Sequence, residues 1–241
     1  MYLLDNPIWN ALNTEQAHLA LNHDQARKFH RDVSLLGGFS MPSNEAYDSL
    51  ANLLDIGERV GLFLKVDPQP PPNWKIVVSV PLLQMLHENG ASQPTPSATL
   101  PIFHKLGEAD VPEMLALTKL TNPGPFATRT CEMGDYFGVR ADGVLVAMAG
   151  ERLRLPGFAE ISAVCTHPDH LGQGYAGRLI TLLLERIRDR GERAFLHVRP
   201  ENQRAVELYE RLGFRTRVLL RYAVLTKEAK TPQIFADSRR S

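Results

Sequence analysis

A stretch of strand-forming residues, FAEISAVCT (158–166), is followed within a few positions by three glycines, Gly172-x-Gly174-x-x-Gly177, and then by an amphipathic run. In that run apolar residues at Ala176, Leu179, Ile180, Leu183, Leu184 and Ile187 recur at helical spacing, and Gly191 ends the pattern. A strand, a glycine turn and a helix in this order constrain the chain to an α/β architecture. They also place unpaired N–H groups at the start of a helix, where phosphates and similar anions are received. A glycine turn that does no more than start the helix would leave the same trace.

Other properties narrow the field. With 241 residues the chain can bury one large core or two small ones. Lys+Arg and Asp+Glu both number 27, so the net charge is zero and the electrostatic footprint of a dedicated nucleic-acid binder is missing. The two cysteines, Cys131 and Cys165, form no CxxC, which argues against a disulfide framework and for a reduced, cytoplasmic protein. The N-terminal MYLLDNPIWNAL lacks a basic leader, and the most apolar segments are too short or too interrupted to span a bilayer, so no membrane partner is expected.

Proline-rich DPQPPPN (67–73) reads as a stiff connector, and NGASQPTPSATLP (89–101) as a domain boundary. The expected division is an N-terminal accessory α+β module over 1–98, a main domain over 99–226 and a tail over 227–241. In the first part, Ser43 is an N-cap candidate for a helix from Asn44 to near Gly57, and RVGLFLKV and KIVVSV look like strands. In the second, LPIFHKL reads as a strand and Asp110 caps a helix through VPEMLALTKL. A hairpin turns at Asp142-Gly143, FAEISAVCT leads to the glycine loop and its helix, and AFLHV is a strand. A helix from Asn202 to Leu212 is stopped by Gly213, and FRTRVLLRYAVL closes the domain as a strand.

Two phosphate-binding readings of the loop fail. A P-loop needs Lys-Ser/Thr after its last glycine, but Arg178 and Leu179 follow Gly177. A dinucleotide fingerprint puts its first glycine almost directly after the strand, whereas His167-Pro168-Asp169-His170-Leu171 intervenes here, and too little chain follows for a doubly wound sheet. The stretch VCTHPDHLGQGYAG instead resembles motif A of the GNAT superfamily, the acyl-CoA-dependent N-acetyltransferases. The matching positions are Leu171, Gly172, Gln173, Gly174, Tyr175 and Ala176; Leu171 stands where the family has Gln or Arg. FLHVRPENQRAVELYERLGF is similar to the family's motif B, through Asn202, Ala205, Leu208, Tyr209, Gly213 and Phe214. Its phrasing lies nearest the branch that includes glycine-N-acyltransferase-like proteins. Residues 1–98 fall outside the resemblance.

The resemblance implies an α/β fold of mixed character, with a central mixed, twisted sheet flanked by helices. It also implies acetyl-CoA or another short acyl-CoA as co-substrate, with no metal. The acceptor would be a small-molecule amine, an amino acid or a peptide, attacked directly in a ternary complex; a homodimer stays open. An acyl-CoA sensor without turnover is the alternative. FAEISAVCT and AFLHV would splay into a slot for the pantetheine arm, lined by Val164, Cys165 and Thr166. The loop from Leu171 to Gly177 would hold the diphosphate, and Asn202 would bond the pantetheine amide or merely cap its helix. The Val164 N–H would donate to the oxyanion. Tyr209 would protonate the leaving thiolate or serve as a core aromatic. Glu160 is the candidate base, with a solvated strand-end carboxylate as its other reading. Simple alternation puts Glu160, Ser162, Val164 and Thr166 on one face and Cys165 on the other, unless a bulge intervenes. Cys165 reads as a buried thiol, His197 as a packing residue, and His167 and His170 as surface histidines without a third metal ligand.

Overall fold

The computed structural model describes residues 2–88 and 102–228. The boundary segment 89–101 and the chain from residue 229 onward, most of the expected tail, lie outside them.

The N-terminal part contains α1 (Pro7–Asn13), β1 (Ala20–His23), β2 (Ala26–Phe29), β3 (Gly37–Phe39), α2 (Asn44–Ala51), β4 (Arg59–Leu64) and β5 (Trp74–His87). It is followed by β6 (His104–Leu106), α3 (Val111–Thr121), β7 (Tyr136–Ala141), β8 (Val144–Leu155) and β9 (Phe158–Thr166). The last elements are α4 (Tyr175–Asp189), β10 (Arg193–Val198), α5 (Gln203–Arg211) and β11 (Phe214–Lys227). Several of their local causes are those read from the sequence; Asp110 departs from it, since its side chain makes no cap hydrogen bond to α3 and accepts instead from the Gly107 N–H at 2.9 Å and from Arg140 at 2.7 Å. Ser43 accepts a hydrogen bond from the Ala46 N–H at 3.1 Å and starts α2, which ends at Ala51, well before Gly57. Pro112 lies in the first turn of α3, and Asn122 closes that helix in the left-handed conformation.

Strands β1, β2 and β3 form a small antiparallel sheet, while the other eight form one mixed sheet in the order β4-β11-β5-β10-β9-β8-β7-β6. Only β9 and β10 run parallel; the remaining neighbours are antiparallel. Helices cover both faces. Leu179, Ile180, Leu183, Leu184 and Ile187 of α4 pack on Ala147, Ala149, Ile161 and Leu196. Met148, between the two alanines, points the other way, toward Met114 and Leu117 of α3. Burying each such leucine contributes roughly 1.5–3 kcal/mol, so this face alone anchors α4. Farther along that second face, Leu4, Ile8 and Leu12 pack on Leu153, Phe195 and Leu220.

The structure does not divide near residue 98. Strand β5 precedes that point, yet it lies between β10 and β11 and pairs with both. Strand β4 extends the sheet on the far side of β11. The proline- and serine-rich composition of 89–101 cannot tell which strands pair across it.

Tyr136 lies flat against Gly150, where an added Cβ would sit 2.2 Å from the ring. Gly150→Ala is therefore expected to cost about 1–3 kcal/mol through overpacking. A denaturant midpoint equal to that of the unsubstituted protein would contradict this.

Candidate active site

The two parallel strands separate. Register between β9 and β10 covers only Arg193↔Phe158, Ala194↔Ala159 and Phe195↔Glu160. Beyond that row β10 continues against β5 and β9 against β8, so among the described residues β9 from Ile161 onward has no strand beside it on the β10 side. The fork coincides with a bulge. Ser162 pairs with Gly150 and Cys165 with Met148, so β9 advances three residues while β8 advances two. Ala163 takes the extra step at φ +52°, and neither it nor Val164 has a register partner.

The bulge overturns the simple alternation. Ile161 and Val164 pack on the α4 side, and Thr166 stands opposite Ala147 of that same face. Cys165 instead falls among Met114, Leu117 and Tyr136, on the face that Glu160 also occupies. Its thiol is buried, which pushes its pKa up to about 11, against the profile of a nucleophile.

The glycine loop stands at the open end of the fork. The His167 N–H donates to the Val146 carbonyl at 2.7 Å, and Pro168–His170 form a single 3-10 turn. Gly172 (φ +81°) and Gly174 (φ +75°) are left-handed, and Gly174 is the N-cap of the fifteen-residue α4. No atom lies within 4 Å of the space a Cβ on Gly172 would fill, so the backbone conformation, not crowding, demands glycine there. Leu171, Gly172, Gln173 and Gly174 are exposed, while Tyr175, Ala176 and Gly177 are half-buried. The Tyr175 hydroxyl donates to Gln173 Oε1 at 2.6 Å, which shapes the turn. First-turn N–H groups of any helix lack partners inside it, so this end can receive a diphosphate. Gly172→Val would force a β-branched residue into a left-handed backbone; acyl-CoA affinity should fall about tenfold, measurable by calorimetry.

On the same side, α5 closes over the start of α4, with Leu208 only 3.6 Å from the Cβ position of Gly177. Asn202 caps α5, accepting the Ala205 N–H at 3.3 Å. Tyr209 is 8% exposed and shares a cluster with Val198 and the partly buried Val164. Burial alone pushes its phenol up to about 12, so the hydroxyl keeps its proton at neutral pH.

Glu160 is neither free nor solvated. It is fully buried; Arg152 donates to it through Nε at 2.9 Å and Nη2 at 2.5 Å, and His197 Nδ1 lies 2.6 Å from Oε1. Burial would raise its pKa, but the Arg152 charge and His197 overcome that and hold it at about 2. A carboxylate paired with a guanidinium in this way is a poor acceptor for an ammonium proton, which argues against Glu160 as the base. His197 packs, as expected, beside Phe63 and Phe195, and it also bonds. Its Nε2 lies 3.1 Å from Gln84 Nε2, so it accepts that amide N–H and the ring proton sits on Nδ1. Burial lowers the His197 pKa. Gln84 also donates to the Leu4 carbonyl and accepts from Arg217, which pairs with Asp5. Arg152, Gln84, Arg217 and Asp5 were not anticipated: an arginine or glutamine within a strand gives no sign of a partner on a distant element.

His167 and His170 lie side by side, with ring centroids 5.8 Å apart. Among the described residues no group of three or more candidate ligands is placed to hold a metal ion, and no helix is long and apolar enough to cross a membrane.

Residues 136–223 match a family model described as FR47-like protein. A mycothiol acetyltransferase from Brachybacterium faecium is 30% identical over 158 residues, covering 55% of this chain and 48% of that protein. The N-alpha-acetyltransferase RimI of Mycobacterium tuberculosis is 40% identical over 82 residues, 33% of this chain and 51% of that one. The chain thus spans about half the length of these two curated relatives. A crystal structure of an acetyltransferase described as of the GNAT family, from Novosphingobium aromaticivorans, is 38% identical. It superposes with a TM-score of 0.85 over 95% of this chain and 100% of that one.

Proposed function

The chain belongs to the GNAT family, and from that premise we propose that it is an N-acyltransferase moving an acetyl or other short acyl group from acyl-CoA to an amine. The observation that carries this reading is the fork between β9 and β10, closed at Glu160–Phe195 and opening toward a glycine loop on a helix N-terminus. The unpaired edge of β9 is suited to the amides of a pantetheine arm, and the loop to a diphosphate. Val164, Cys165 and Thr166 would line the arm, with Leu171 to Gly177 beneath the diphosphate. Asn202, already spent as a helix cap, would contribute its remaining amide hydrogens.

In the reaction the amine nitrogen attacks the thioester carbonyl. The carbonyl oxygen gathers negative charge, which the Val164 N–H would receive; its lack of a register partner supports that role. As the carbon–sulfur bond breaks, the Tyr209 hydroxyl would give its proton to the thiolate. The ammonium proton leaves to water, since Glu160 is sealed and held as a stable anion. Direct attack in a ternary complex is the course we favour, because Cys165, the thiol at the fork, is buried with its pKa pushed up to about 11, against the profile of a nucleophile. The acceptor would be a small-molecule amine, an amino acid or a peptide; relatives named as a mycothiol acetyltransferase and as an N-alpha-acetyltransferase support this range. The phrasing of motif B supports the glycine-N-acyltransferase-like branch, and two unpaired cysteines support a cytoplasmic setting.

Thiol release from acetyl-CoA over a panel of amines, beside calorimetric CoA binding, tests the reading. Binding with turnover on at least one amine is expected. Binding without turnover on any would leave an acyl-CoA sensor, and no binding would remove both.

A further inference from the structure

The closed end of the fork has an unusual construction. Phe195↔Glu160 is the last row in which β9 and β10 are in register, and just above it His197 reaches sideways in both directions. Its Nδ1 bonds Glu160 on β9 and its Nε2 bonds Gln84 on β5, the strands on either side of β10. Where the backbone ladder lets β9 go, a side-chain ladder begins. All three side chains are buried, so no water competes for these bonds.

An acyl-CoA held at the glycine loop enters from the open end, so its acyl group comes to rest nearest the closed end. The position of that end sets how long an acyl chain fits. We propose that the Glu160–His197–Gln84 bridge fixes the floor of the slot and thereby determines acyl-chain length. This rests on the N-acyltransferase reading above and adds a specificity role for residues outside the transfer itself. Arg152 serves the bridge by keeping Glu160 charged and aimed at His197. The neutral ring needs one donor and one acceptor nitrogen, and its surroundings supply one partner for each. His197 acts through Glu160 and Gln84, and is a positioning residue.

The test compares His197→Leu with His197→Gln. Leucine fills the space but breaks both bonds. Glutamine offers an N–H toward Glu160 and a carbonyl oxygen toward Gln84, restoring both. The readout is the ratio of kcat/KM for acetyl-CoA to that for butyryl-CoA, with circular dichroism confirming that each variant is folded. In His197→Leu the ratio should shift about tenfold toward the longer chain, the size of discrimination a methylene or two commands. His197→Gln should return it close to that of the unsubstituted enzyme. A general structural defect would depress both substrates alike and leave the ratio unmoved. An unmoved ratio in folded, active His197→Leu therefore overturns the proposal. Failure of the unsubstituted protein to turn over any acyl-CoA would overturn the N-acyltransferase reading instead. Should His197→Leu not fold, Gln84→Leu breaks one arm of the bridge without stranding the Glu160 charge, and the same ratio decides.

Discussion

Tyr209→Phe should reduce turnover by about 10²–10⁴-fold, the range that a positioned general acid supplies, while acyl-CoA binds almost as before. The substitution removes one oxygen from a ring that packs against Phe214 at 6.0 Å and shares its cluster with Val198, so the fold should be untouched. The phenol has the attributes of a donor. Burial raises its pKa to about 12, so the phenol is protonated at neutral pH and can offer its O–H to the departing sulfur. Steady-state kinetics with thiol detection would check this, beside CoA affinity by calorimetry. Loss of affinity in proportion to turnover would assign Tyr209 to packing. Unchanged turnover would remove it from the mechanism.

The second large effect is on stability. Glu160→Leu leaves the Arg152 guanidinium buried without its partner, and breaking a buried pair from one side costs about 3–5 kcal/mol. That is a substantial fraction of the stability of a typical domain. Glu160→Gln keeps the shape and a hydrogen bond but loses the charge, so it should cost less. The sign of the pH dependence follows from the held pKa. At about 2 in the folded protein, against an ordinary value of 4.5, the carboxylate stabilises the fold fully at neutral pH. That contribution fades as the pH falls from about 4.5 toward 2. Thermal melts of the unsubstituted protein and Glu160→Gln should therefore converge as the solution becomes acid. In kinetics, Glu160→Gln should keep the midpoint of the pH–rate profile, because a group held at about 2 does not titrate in the working range. A displaced midpoint would return Glu160 to proton transfer.

Much of the site was legible because its signals are local. The glycine spacing, the amphipathic run of α4, the cap at Asn202 and the stop at Gly213 each act within a few residues of chain, and each stands where the sequence placed it. The strand and helix order from residue 104 follows from the same periodicities. Three features escaped. The short elements α1 and β1 to β3 have too few turns or alternations to register a pattern. The bulge at Ala163 has no glycine or proline to announce it, and it turned Cys165 to the face of Glu160. Arg152 lies eight residues before Glu160 on the adjacent strand, and nothing in that spacing reveals a buried pair.

The sequence alone determined that a helix started by glycines follows a strand, and that two amphipathic helices flank the next strand. Those are matters of backbone propensity and period, which neighbours in the chain decide. The tertiary structure alone decided that β5, from ahead of the boundary segment 89–101, would stand between β10 and β11, and that Glu160 would be sealed between Arg152 and His197. Strand pairing and the partnering of a buried charge are contests among segments distant in sequence, settled by which arrangement leaves the fewest hydrogen-bonding groups and charges unmatched in the interior.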